Sequence, residues 1–144
     1  RLSLMISDRG LGRVESRPVE ATISAPVIKQ RLRNNCEVTA LEILLASRGV
    51  ESNQLTLQKQ LRRDGPLDPQ GEGAEKVWGD PDFGFVGRPD GGGTAGGFGV
   101  YPGPIASLAS QYGMRLRNLS GRPPRDVYRR LLAWSETALG PAPG

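Results

Sequence analysis

The chain has no histidine and a single cysteine in 144 residues. Without an imidazole it has no side chain whose ordinary titration spans neutral pH, so it contains no complete thiol–imidazole or hydroxyl–imidazole pair for nucleophilic catalysis. One cysteine cannot close an internal disulfide, and the redox compartment is therefore not legible from thiol pairing. No apolar run approaches the roughly 20 residues of a membrane span. The first residue is Arg1 and not an initiator methionine, so the lack of a recognisable signal peptide says little about secretion. Apolar residues are also scarce at 37%, which predicts a small core for the length of one ordinary domain.

Turn-formers, by contrast, are plentiful. Twenty glycines and twelve prolines give 32 of 144 residues, more than a fifth, where about 12% is usual. Long irregular connections are expected. The net charge is +4 and the pI about 9.7, but the arginines are interspersed with acids, in pairs such as Arg31 and Arg33, Arg62 and Arg63, and Arg129 and Arg130. A nucleic-acid surface would gather them on one element with interleaved aromatics, so no nucleic-acid partner is expected.

In chain order, residues 1–24 hold two short apolar pieces, Leu2 to Ile6 and Val19 to Ile23, which read as edge strands or a linker. A helix is predicted from Cys36 to Arg48, with Val38, Leu41, Leu44 and Leu45 on one face and Gly49 as its stop. Ser52 or Asn53 caps a second, short helix carrying Leu55, Leu57 and Leu61. Residues 64–104 hold thirteen of the glycines and read as one very long loop. Trp78, Phe83, Phe85 and Phe98 give that loop something to bury, whereas 91–97 is expected to be mobile.

Three motifs in the loop are discounted. The glycine run lacks the Lys-Ser/Thr of a phosphate loop and the preceding strand of a dinucleotide site, and Asp80-Pro81-Asp82 lacks the glycine and final glutamate of a calcium loop. No cofactor or metal is expected. Pro104 opens a third helix with Ile105, Leu108, Ala109 and Tyr112 on one face, closed by Gly113. The alternation from Met114 to Leu119 predicts a half-buried strand. A last helix carries Val127, Tyr128, Leu131, Leu132 and Trp134.

The cysteine is the focus. Asn34 or Asn35 is a good N-cap, and Glu37 stands at capping-box spacing from Asn34. Cys36 thus falls in the first turn, where unpaired N–H groups and the helix dipole favour an anion and should lower its pKa. The competing expectation is a buried cysteine that only packs.

The segment Pro26-Val27-Ile28-Lys29-Gln30, followed by Asn35-Cys36-Glu37-Val38-Thr39-Ala40-Leu41, resembles the opening of papain-like bacterial cysteine peptidases related to family thirty-nine, the bacteriocin-processing, double-glycine type. Trp78 to Gly87 and Gly99 to Ile105 resemble the middle of an uncharacterised branch of that group, and the similarity runs from about Ala25 to Leu132. The resemblance implies an α+β fold, of which this chain is the N-terminal, largely helical portion with a long Gly-rich loop. Residues 1–24 would stand outside, and 25–144 would be a partial peptidase domain.

The resemblance also implies peptide-bond hydrolysis, with Cys36 as nucleophile and Gln30 as an oxyanion donor, a peptide or protein substrate, and a secreted or cell-envelope location. The family's histidine and its Asp or Asn lie beyond the matched region, so the chain is expected to be a truncated piece, catalytically inactive and incompletely buried. The alternative is a non-catalytic module that binds a peptide or a cell-wall polymer.

Overall fold

The computed structural model describes residues 2–6, 19–91 and 96–139. The fold mixes helices with two small antiparallel sheets and is α+β. The elements are β1 (Leu2–Ile6), β2 (Val19–Ile23), α1 (Cys36–Ser47), α2 (Gln54–Gln60), a 3₁₀ turn (Gly73–Glu75), β3 (Val86–Gly87), β4 (Gly97–Gly99), α3 (Pro102–Gln111) and α4 (Pro124–Leu139). Contacts divide the chain into two compact units, one of residues 1–25 with 119–144 and the other of residues 26–118.

In the first unit β1 pairs antiparallel with β2, Leu2 opposite Ile23 and Ile6 opposite Val19, and α4 packs on β2. The tail 140–144 lies outside the described residues. The second unit holds the core: Val38, Leu41 and Leu45 of α1, Leu57 and Leu61 around α2, Phe85, Val100, and Leu108 and Ala109 of α3. Val38, Leu41 and Leu45 recur at helical spacing, which is why α1 can present one continuous inner edge. Its stop is Gly49, at φ +74° and so in the left-handed region that glycine enters without a Cβ penalty. Asn53 caps α2, its Oδ1 accepting from Leu55 N–H at 2.9 Å.

Two readings of the sequence are corrected. Residues 114–119 form no strand, because the alternation of Met114 and Leu116 toward the core is present but no partner strand among the described residues pairs with them. The stretch 64–104 is not one loop. Phe85 N–H donates to Arg62 O (2.7 Å) and Asp64 N–H to Phe85 O (3.1 Å), Gln70 and Val77 exchange both backbone bonds, and β3 pairs with β4. This chain of backbone pairings folds the glycine-rich region back on itself and satisfies its polar groups. Of the segment expected to be mobile, residues 92–95 lie outside the described residues, while Gly97 belongs to β4. Helix α3 begins two residues earlier than predicted, with Pro102 at its first position and Pro104 buried.

Candidate active site

Cys36 is the first residue of α1, and it is exposed. The packing-only expectation for this residue is thereby overturned. A turn at 32–34 delivers it: Leu32 N–H donates to Asn35 Oδ1 (3.2 Å), Asn34 N–H to Pro89 O (2.9 Å), and Thr39 N–H to Asn35 O (2.9 Å) as the first helical bond. Asn35 is completely buried, so the turn is clamped from below while the thiol faces out.

The capping box does not form. The N-cap is Asn35 at φ −127°, ψ 33°, outside the extended region that lets a capping side chain reach forward, and it makes no side-chain cap bond. Asn34 Nδ2 is instead buried without a hydrogen-bond partner, pressed against Gly97. The Glu37 carboxylate accepts from Cys36 Sγ at 3.2 Å.

The titration runs opposite to the sequence expectation. The Cys36 pKa is raised above the ordinary thiol value, first by partial desolvation of the sulfur, then by the hydrogen bond to Glu37 and the charge of that carboxylate. Backbone N–H groups of Glu37 and Cys36 pull the other way, as helix-start amides should, but they are outweighed. The resting sulfur is therefore a thiol. Labelling of Cys36 by an electrophile in the native chain should rise with pH along a curve displaced upward from that of the urea-unfolded chain. Glu37→Gln removes the charge and leaves the helix amides, so its curve should move back down. A native curve coincident with the unfolded one would contradict this account.

The glycine-rich hairpin forms one wall. Gly99, at φ +113°, takes a conformation that side-chain-bearing residues rarely adopt, and a Cβ there would sit 2.8 Å from Glu37 Oε1, so the hairpin backbone passes close to that carboxylate. Between the two hairpin glycines Phe98 is 53% exposed and meets Tyr101 edge-on, ring centres 6.1 Å apart.

Gln30, the other expected site residue, is half-buried, and its Nε2 donates to Leu32 O at 2.6 Å. Among the described residues no hydrogen bond joins it to Cys36; the two stand at opposite ends of the turn. One of its two amide N–H groups is engaged in the Leu32 bond. Asp64 and Asp80 use their carboxylates to hold backbone: Asp80 N–H donates to Asp64 Oδ2 (2.7 Å) and Asp82 N–H to Asp80 Oδ1 (2.9 Å). Among the described residues no group of three or more His, Cys, Asp or Glu could hold a metal ion.

A buried polar network behind the thiol was not anticipated from the sequence. Asn35, Thr39 and Glu42 lie at i, i+4 and i+7 on the inner side of α1, and all three reach Gln54 of α2. The signal was present as polar residues at helical spacing inside an apolar helix, but the same spacing also suits a solvated face.

A family model described as "Peptidase_C39 like family" matches residues 22–133. The Bacillus subtilis (strain 168) protein named "Uncharacterized protein YvpB" is 33% identical over 117 residues, which are 81% of this chain and 44% of that protein. The chain thus spans less than half the length of that relative. No solved structure matches.

Proposed function

The chain belongs to the Peptidase_C39 like family, and from that premise we propose that it carries the nucleophilic half of a papain-like cysteine peptidase that cleaves peptide bonds through an acyl-enzyme on Cys36. The observation that carries this reading is an exposed thiol on the first residue of α1. Attack on a carbonyl forms the S–C bond and moves the π pair onto oxygen. An alkoxide generated there is stabilised by preorganised donors. Gln30 supplies an amide N–H and the helix start supplies backbone N–H. The sulfur rests protonated with its S–H directed at the Glu37 carboxylate, and because the chain has no histidine an imidazole base would have to come from outside these residues. The 144 residues alone are expected to show no turnover.

Chemical rescue tests this. With added imidazole, a peptidyl p-nitrophenyl ester should acylate Cys36 in the native chain, seen as a mass increase on the peptide containing it. Gln30→Ala should slow acylation by about tenfold or more, a conservative share of what one oxyanion donor supplies. Acylation no faster than in the urea-unfolded chain would sink the reading. The second reading, a module that binds a peptide or cell-wall polymer without cutting, is favoured by the protonated thiol and the missing imidazole. It predicts saturable binding of such a polymer with no acylation even when imidazole is present.

A further inference from the structure

We propose that Gln54 is the positioning residue of this site, its buried carboxamide fixing the backbone on both sides of Gln30 against the helix that starts at Cys36. The proposal rests on the reading of Cys36 as nucleophile and Gln30 as oxyanion donor. Gln54 opens α2 and is only 1% exposed. Its Nε2 donates to Lys29 O (3.0 Å) and to Glu42 Oε2 (3.1 Å), and its Oε1 accepts from Arg31 N–H (2.8 Å), Asn35 Nδ2 (3.1 Å) and Thr39 Oγ1 (3.0 Å). A carboxamide has two N–H groups and two lone pairs, so its capacity is filled, with the Thr39 hydroxyl also able to turn to Asn35 O at 3.0 Å.

The pattern is asymmetric in a telling way. Lys29 O and Arg31 N–H are the peptide groups immediately before and after residue 30. Taking one as acceptor and giving the other an acceptor is what a neighbouring strand does to an extended residue, and it fixes the direction in which that residue's side chain leaves the backbone. The remaining partners belong to α1 and its cap, and one of them, Asn35, directly precedes Cys36. No apolar side chain of similar volume could do this, because it would offer the Lys29 carbonyl no donor and the Arg31 N–H no acceptor. Gln54 touches no reacting atom, so it acts through Gln30.

The test uses the full 144-residue chain and two probes of one thiol. A peptidyl aldehyde adds Cys36 across its carbonyl: the S–C bond forms, the π pair goes to oxygen, and the thiol proton follows it. That oxygen occupies the oxyanion position. A small aromatic disulfide exchanges with the same sulfur and creates no such oxygen. Gln30→Ala and Gln54→Met should each weaken aldehyde binding by about tenfold, the double variant should be no weaker than either single one, and disulfide exchange should stay within about twofold of wild type. Gln54→Glu keeps the volume and the acceptor for Arg31 but loses the donor to Lys29, and it serves if the thioether variant does not fold. Unchanged aldehyde affinity in the Gln54 variants, a double loss equal to the product of the two single losses, or disulfide exchange falling in step would each overturn the proposal. If Gln30→Ala has no effect while Gln54→Met does, the oxyanion reading of Gln30 fails instead, and the positioning role fails with it.

Discussion

Replacing Gly97 by alanine is expected to destabilise the chain by on the order of 3 kcal/mol, the upper end of what overpacking a filled site costs. A Cβ at this position would lie 2.6 Å from Arg88 O and 2.7 Å from Gly91 O and would overlap Asn34 Nδ2. Two of those three atoms belong to the main chain and cannot swing away. The third, Asn34 Nδ2, is buried, on a residue whose own N–H is tied to Pro89 O at 2.9 Å. Gly113 is the internal control. Its φ of +76° makes alanine strained there too, but nothing lies within 4 Å of the added carbon, so Gly113→Ala should cost only the left-handed penalty of about 1–2 kcal/mol. Urea unfolding of the two variants separates steric from torsional cost. Equal losses would show that β4 does not press on the turn before Cys36. The larger loss should come with a change at the thiol, since Asn34 is two residues from it, and the native labelling curve of Gly97→Ala should approach that of the unfolded chain.

Whether a feature was legible in the sequence depended on whether its cause was local. Helix α1 could be read because Val38, Leu41 and Leu45 share one face and Gly49 ends it, all within fourteen residues. The place of Cys36 followed from the same signals. The role of Glu37 did not, because the helix opens with Asn35 as its N-cap, which leaves Glu37 one place short of capping-box spacing, and the Asn35 side chain bonds to Leu32 and Gln54 instead. Pairings between distant backbones left no trace, as with Arg62 and Phe85 or Val86 and Gly99. Glycine carries no side-chain alternation, so a hairpin rich in it looks like a loop. Gln54 was hidden for a related reason: a polar residue just after a helix cap is ordinarily solvated, and only the fold of residues 29–31 over it reveals that it is buried.

Phe85→Ala should be the most damaging change in the core, at about 3–5 kcal/mol. Its side chain is completely buried in a cluster of nine buried residues among those described, and domains of this size have about 5–15 kcal/mol in all. The ring is also where the glycine-rich region is fastened to the helices. Its own N–H and C=O pair with Arg62 and Asp64, just after α2, and the next residue, Val86, starts the strand that pairs with Gly99 beside Glu37. Emptying the space beneath therefore loosens both the core and the wall of the site. Phe85→Leu keeps most of the apolar volume and should cost less than about 1.5 kcal/mol. If urea midpoints followed by circular dichroism put the alanine variant level with the leucine variant, the ring would not be packed as described. If alanine alone drops sharply and also brings the Cys36 labelling curve toward that of the unfolded chain, the small core and the thiol's raised pKa depend on the same packing.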